Sequence, residues 1–224
     1  MYLSKICVVK SSQSVKELLR IGANGSYASH QLLWTLFTKE MQRGFLYREE
    51  IGHSGLPEYF VLSGNKPTNN EALFNIQSKI YQPALEPGDR LAFRLRANPT
   101  ISIKDEAGRS KKHDVLMHAK RKAKQQGILS AEKIKEVMED AARRWIADNE
   151  RVSGWGITLD VLPEIERYAQ HQSSKVKGEK IRFSSVDFQG VLTVVDVDKF
   201  LSQLTAGFGR AKAFGCGLML IRRI

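Results

Sequence analysis

From Leu91 to Asn98 apolar and polar residues alternate, Leu91-Ala92-Phe93-Arg94-Leu95-Arg96-Ala97-Asn98, with the period of a half-buried strand. Arg94 and Arg96 therefore share one face. Between Ala131 and Asn149 the spacing changes: Ile134, Val137, Met138, Ala141 and Trp145 recur along one helix face, and Ser130 stands where an N-cap belongs. The same two periods divide the rest of the chain. In the first half they predict a strand over Leu3–Val9, a helix over Tyr27–Phe37, strands over Gly44–Ile51 and Glu58–Leu62, a short helix over Asn70–Gln77 and a strand over Lys79–Gln82. In the second half, strand 91–98 and helix 131–149 lead to strands over Ile157–Leu162 and Lys180–Val195, a helix over 197–206 and a last strand over Leu218–Ile221.

Both halves read β-α-β-β-α-β, and the segment between them, Pro83 to Asp89, is turn-rich through its two prolines and Gly88. The expected fold class is α+β: tandem ferredoxin-like (βαββαβ) domains with antiparallel sheets, an N-terminal one over 1–85 and a C-terminal one over 90–224. A chain of 224 residues can bury two such cores, and 42% hydrophobic with 26% charged residues argues against disorder.

Charge adds a partner. Lys and Arg number 35 against 24 Asp and Glu, a net +11, which favours polyanions. The cations cluster twice: Arg109, Lys111, Lys112, Lys120, Arg121, Lys122 and Lys124 face only Asp114, and Lys175, Lys177, Lys180 and Arg182 face only Glu179 in a segment that its serines and glycine mark as a hairpin loop. A solvated charged face is the alternative for either cluster alone. No strand has the dense basic and aromatic pattern of a base-stacking RRM sheet, so recognition through backbone and shape is expected. The N-terminal apolar run is too short for a signal peptide and none reaches bilayer length, so no membrane is expected and the location is cytoplasmic. Cys7 and Cys216 read as two buried free thiols, and the five histidines lack zinc-ligand spacing to either.

Two short motifs carry candidate chemistry. Near the C-terminus Gly207-Phe208-Gly209-Arg210-Ala211-Lys212-Ala213-Phe214-Gly215-Cys216-Gly217 has two Gly-x-Gly pairs around two cations. Its residues fit a loop whose amides face a phosphate, or a helix C-cap followed by a tight turn into an edge strand. A dinucleotide fingerprint would need a third glycine where Lys212 stands, and no cofactor is expected. In Ser26-Tyr27-Ala28-Ser29-His30-Gln31-Leu32-Leu33-Trp34, Tyr27 and His30 lie one turn apart near a helix N-terminus, where free amides suit a phosphate and lower an imidazole pKa. His30 is the candidate for proton transfer. The bland alternative is an amphipathic helix that His30 merely caps.

Met1-Tyr2-Leu3-Ser4-Lys5, Tyr27-x-x-His30-Gln31-x-x-Trp34-x-x-Phe37, Phe93-Arg94-Leu95-Arg96-Ala97-Asn98-Pro99, Phe188-x-Gly190-Val191-Leu192-Thr193 and the glycine loop, in that order, resemble the CasE family. These are the CRISPR-RNA-processing endoribonucleases of the type I-E Cascade complex, within the RAMP superfamily. The resemblance implies binding of the CRISPR repeat stem-loop and cleavage at its 3′ base without a metal, by 2′-hydroxyl attack giving a 2′,3′-cyclic phosphate and a 5′-hydroxyl. It implies retention of the mature crRNA and assembly with other Cascade subunits in a bacterium or archaeon. His30 matches the family's catalytic histidine and Tyr27 the tyrosine near the scissile phosphate; whether His30 accepts or donates the proton stays open. The segment 175–182 corresponds to the element that grips the stem, and Arg94, Arg96, Arg109, Lys111, Lys112, Arg210 and Lys212 are further candidates for RNA contact. The glycines 207, 209, 215 and 217 are expected to join the last helix to the last strand of the second domain, with catalysis assigned to the first domain's helix. A non-catalytic structured-RNA-binding scaffold and a metal-dependent nuclease are the other readings, the latter opposed by the lack of an Asp/Glu cluster with ligand spacing.

Overall fold

The computed structural model describes residues 1–24, 26–38, 41–68, 70–174 and 180–224, with side chains described for all of these except 18, 20–24, 26, 27, 173, 174 and 180. The chain falls into two units, Met1–Ala84 with Gln170–Arg182 and Ala211–Leu218, and Leu85–Ala169 with Phe183–Arg210 and Met219–Ile224.

The first unit runs β1 (Tyr2–Val8), α1 (Ser12–Asn24), α2 (Ser26–Trp34), β2 (Phe45–Ile51), β3 (Pro57–Ser63) and β4 (Phe74–Ile80). Its antiparallel sheet has the order β2-β3-β1-β4, with Ile6 opposite both Tyr59 and Ile76. Ala28, Ser29, Leu32, Leu33 and Leu36 recur at three and four residues and are all buried, which turns one face of α2 and the turn after it into the core. Leu33, Leu36 and Phe37 pack there with Ile6, Phe45, Tyr47, Tyr59, Val61 and Phe74.

Two expectations fail in this unit, the helix over 70–77 and the bounds of the strand over Lys79–Gln82, and β4 (Phe74–Ile80) replaces both. The segment 70–77 is no helix: a turn closed by Leu73 N–H and Phe74 N–H on the Asn70 carbonyl, at 3.0 and 2.8 Å, leads into β4, which pairs with β1 from Val8↔Phe74 to Tyr2↔Ile80. Phe74, Ile76 and Ile80 have the period of two that an open flank of β1 can accept, and Phe74 is buried there. Helix α1 has no counterpart in the sequence reading; Ser11 starts it, its hydroxyl accepting the Ser14 N–H at 3.1 Å.

The second unit runs β5 (Arg90–Ala97), β6 (Thr100–Lys104), β7 (Ser110–Asp114), α3 (Val115–Gln125), α4 (Ala131–Ile146), α5 (Asn149–Gly154), β8 (Ile157–Leu159), β9 (Glu164–Ser174) up to residue 169, β10 (Lys180–Val194) from residue 183, α6 (Val197–Ala206) and β11 (Met219–Arg223). The main sheet has the order β11-β5-β10-β8, β9 also pairing with β10, and β6-β7 form a separate two-stranded sheet. Leu91, Phe93, Leu95 and Ala97 of β5 enter the core with Phe188 and Leu192 of β10, Trp145 of α4 and Phe200 of α6. Ser130 caps α4 as expected, and Asp114 and Asp196 cap α3 and α6, accepting from Met117 N–H at 2.7 Å and Lys199 N–H at 3.1 Å. The basic stretch 109–124 falls on β7 and α3, and neither these elements nor β9 was expected. Cys216 is buried but Cys7 only half-buried, and both are free.

Gly156 joins α5 to β8 at φ +72°, where a Cβ would stand 2.4 Å from the Asp196 carbonyl oxygen. Its own carbonyl accepts the N–H groups of Val195 and Asp196 at 2.8 and 2.9 Å, holding the start of α6 in place. Gly156→Ala is expected to destabilise the fold by at least about 2 kcal/mol through combined strain and overlap, read as a lowered midpoint in urea unfolding.

Candidate functional site

His30 lies on α2 at the edge of the buried face, so that its ring is half-buried rather than solvated. Trp34, one turn later, stands 5.7 Å away between ring centroids, and β2 supplies Phe45 at 5.9 Å and Tyr47, stacked, at 6.5 Å. His30 Nε2 is buried and has no hydrogen-bond partner among the described residues. Burial and then the charge of Arg43 hold the imidazole below its ordinary pKa, leaving it neutral at pH 7. A neutral imidazole with an unused nitrogen can exchange a proton with a ligand.

Arg43 precedes β2 by two residues, and burial lowers its pKa too. Nothing in its sequence spacing marked it, since no period links it to His30; only the return of β2 past α2 does. Tyr27 lies on α2, but its side chain is outside the described residues.

The glycine segment divides. Gly207, at φ +78°, closes α6 with its N–H on the Gln203 carbonyl at 2.8 Å, and Gly209 packs near the Trp145 ring, both in the second unit with exposed Arg210. Residues 211–218, by contrast, belong to the first unit. A 3₁₀ turn over Lys212–Phe214, entered through Ala211 at φ +55° and left through Gly215 at φ +81°, packs against α2 and β2. Tyr47 Oη donates to the Ala213 carbonyl at 3.2 Å, and a Cβ at Gly215 would stand 3.2 Å from the Tyr47 ring. The segment joins α6 to β11 as expected, and its second half, with Gly217 at φ +93°, sits in the unit that holds His30. Lys212 there has its pKa lowered by burial and by Arg43. Tyr47 is pushed well above its ordinary value, chiefly by burial, and so serves as an anchor rather than a proton carrier at neutral pH.

The second unit engages several candidate cations with acids. Arg96 grips Asp187 through two hydrogen bonds of 2.7 and 2.8 Å, both side chains largely buried, and Arg94 reaches Glu166 at 2.8 Å. Arg109 and Lys111 share Asp105 at 3.1 and 3.8 Å, and Lys112 hydrogen-bonds Ser102. Helix α3 carries Lys120, Arg121, Lys122 and Lys124 without an acid in its own sequence. Arg182 is exposed on β10; Lys175 and Lys177 lie outside the described residues, as does the Lys180 side chain. Among the described residues no group of three or more His, Cys, Asp or Glu is placed to hold a metal ion, and no helix is long and apolar enough to cross a membrane.

A family model described as CRISPR associated protein matches residues 1–223. The chain belongs to the CRISPR associated protein family. The Cascade subunit CasE of Escherichia coli K12 is 27% identical over 222 residues, 98% of each chain. The CRISPR-associated endoribonuclease Cse3 of Thermus thermophilus is 32% identical over 143 residues, 64% of this chain and 60% of Cse3. Cas6e from Escherichia coli K-12, in its crystal structure, matches at TM-score 0.64 and 26% identity over 100% of both chains. Cse3 bound to a 19 nt RNA matches in fold at TM-score 0.71 and 24% identity, over 99% of this chain and 100% of that one. The resemblance to CasE carried by the motifs is thus borne out, as is the mixed α+β class with antiparallel sheets.

For this CRISPR-associated chain the surroundings of His30 set a pH signature. Its folded-state pKa lies below the unfolded value, so its contribution to stability is present above about pH 6.5 and lost as pH falls through the folded pKa. NMR titration should place the His30 midpoint below 6.5, and His30→Gln should flatten the acid limb of stability against pH.

Proposed function

We propose that the protein is a metal-independent endoribonuclease that binds a CRISPR repeat stem-loop, cuts at its 3′ base and keeps the product as a Cascade subunit. The reading rests first on His30: a neutral imidazole with a buried, unpartnered nitrogen, beside Arg43 and on the helix whose motif matches the family's. The 2′-oxygen forms a bond to the adjacent phosphorus as the bond from phosphorus to the 5′-oxygen breaks, leaving a 2′,3′-cyclic phosphate. One group takes the 2′-hydroxyl proton and another, or the same group once protonated, supplies the 5′-oxygen. His30 in its neutral form is suited to the first transfer, and its imidazolium to the second. Tyr27 is assigned to the phosphate through its match to the family's tyrosine near the scissile phosphate.

Both sheets support a tandem ferredoxin-like reading. Counted along each unit's main sheet, β2-β3-β1-β4 and β8-β10-β5-β11 share one order, with the first and third strands central. The first sheet takes both its helices from the β1–β2 connection, however, rather than one from each half. The cations of β7 and α3, with Arg182, Arg210 and the segment 175–180, are the candidates for contact with the stem. A-form RNA is read mainly by shape and phosphate, which suits exposed Lys and Arg on regular elements. Relatives named as a Cascade subunit and as a CRISPR-associated endoribonuclease, one of them solved with RNA, agree with this reading. Action in the cytoplasm fits two free thiols.

Incubation with repeat RNA in excess EDTA tests it. Cleavage leaving a cyclic phosphate is expected, with His30→Ala lowering the single-turnover rate by at least about 100-fold while RNA remains bound. A 2′-deoxy nucleotide at the cut should stop the reaction. Cleavage only with added Mg²⁺ would overturn the mechanism, and tight binding of uncut RNA by the wild type would mark a scaffold. Repeat-RNA affinity should fall at least about 100-fold between 50 and 200 mM salt, as measured by filter binding.

A further inference from the structure

His30 Nε2 and Arg43 Nη1 are both buried and have no hydrogen-bond partner among the described residues. A buried donor left unsatisfied costs about 1–3 kcal/mol and more when charged, so a group kept in that state points to a ligand that completes it. A second cation converges from the other end of the sequence. The Lys212–Phe214 turn packs on α2 and β2, pinned by the Tyr47–Ala213 hydrogen bond, and brings Lys212 within electrostatic reach of Arg43. Ala211, a non-glycine residue at φ +55°, is strained backbone, and strain of this kind collects where geometry serves a ligand. Two cations held close and partly desolvated repel each other, and an anion between them removes the conflict.

We infer that Arg43 and Lys212 clamp the phosphate whose ester bond is broken, holding its non-bridging oxygens beside His30 while negative charge builds on them. This rests on the endoribonuclease reading above. Arg43 offers a planar fork that matches two phosphate oxygens, and Lys212 a compact charge from a separate element. Fixed, partly desolvated cations stabilise a five-coordinate phosphorus more than its ground state, because the charge they face grows during the reaction. The same clamp links binding to proton transfer. In the free protein the Arg43 charge opposes protonation of His30; once a phosphate offsets that charge, His30 accepts a proton more readily. The other groups around the site are Tyr47 on β2 and Tyr59 on β3, both held by burial well above their ordinary pKa and so un-ionised at neutral pH.

The test follows the His30 imidazole by NMR in the full chain during titration with inorganic phosphate. In the wild type, phosphate should raise the His30 pKa saturably. Arg43→Gln should start from a higher His30 pKa and lose the response, and Lys212→Gln should weaken phosphate binding at least about fivefold. With repeat RNA in EDTA, each variant should cleave about 100- to 1000-fold more slowly under single-turnover conditions, with affinity changed less than about fivefold and partial recovery in Arg43→Lys. Should Arg43→Gln fail to fold, Arg43→Lys and Lys212→Gln carry the test. A wild-type His30 that ignores phosphate, or phosphate bound equally well by the variants, overturns the inference. If the phosphate response is as described and the wild type does not cut repeat RNA, the clamp stands and the endoribonuclease reading falls. If Arg43→Gln and Lys212→Gln cut at the wild-type rate, the clamp falls and the reading stands.

Discussion

Tyr47 is the side chain on which the site's arrangement depends. It is 1% exposed, and burying a phenol without a partner for its hydroxyl would be costly. The hydroxyl is satisfied by a backbone carbonyl 166 residues further along, that of Ala213, and this single bond draws the end of the chain onto β2. The ring then bears on the sequence it meets: at Gly215 a positive φ and the 3.2 Å approach both disfavour a side chain. The same ring stacks beside His30 at 6.5 Å. Anchor, turn and histidine are therefore one packing problem, and Lys212 arrives at the site as its consequence.

The +11 charge is spent unevenly. In the second unit Arg90, Arg94, Arg96 and Arg223 all meet carboxylates, at Asp160, Glu166, Asp187 and Asp89. Exposed pairs of this kind contribute little to stability, but they neutralise cations that composition alone would offer to a polyanion. Arg96 and Asp187 form the one largely buried pair among these four, across β5 and β10, where losing either partner would strand a charge. Among the described residues, helix α3 carries Lys120, Arg121, Lys122 and Lys124 with no acid in its own sequence, on a regular element that keeps its side chains at fixed spacing.

Elements with an uninterrupted period were legible. β5 alternates over its length and α4 repeats its apolar face, and both lie where the pattern put them, as does the cap at Ser130. The failures have physical causes. β4 alternates only partly, with Ser78 on the face of Phe74 and Ile76, and its identity as a strand comes from pairing with β1. β7 and α3 are so rich in lysine and arginine that charge obscured the periodicity. α1 opens with serines whose capping role shows only once Ser14 bonds to Ser11.

The candidate site divides along the same line. His30 and the glycine segment could be picked out by residue type and motif, because an imidazole near a helix start and glycines at required positive φ are local properties. Arg43 and Tyr47 could not, since a lone arginine before a strand and a tyrosine within one carry no local mark of what they meet. The sequence by itself determined the alternation of elements, the basic character, the family and the histidine. Only the tertiary structure decided that the chain's last turn returns to the first unit, because that depends on one buried hydroxyl finding its acceptor at a separation of 166 residues.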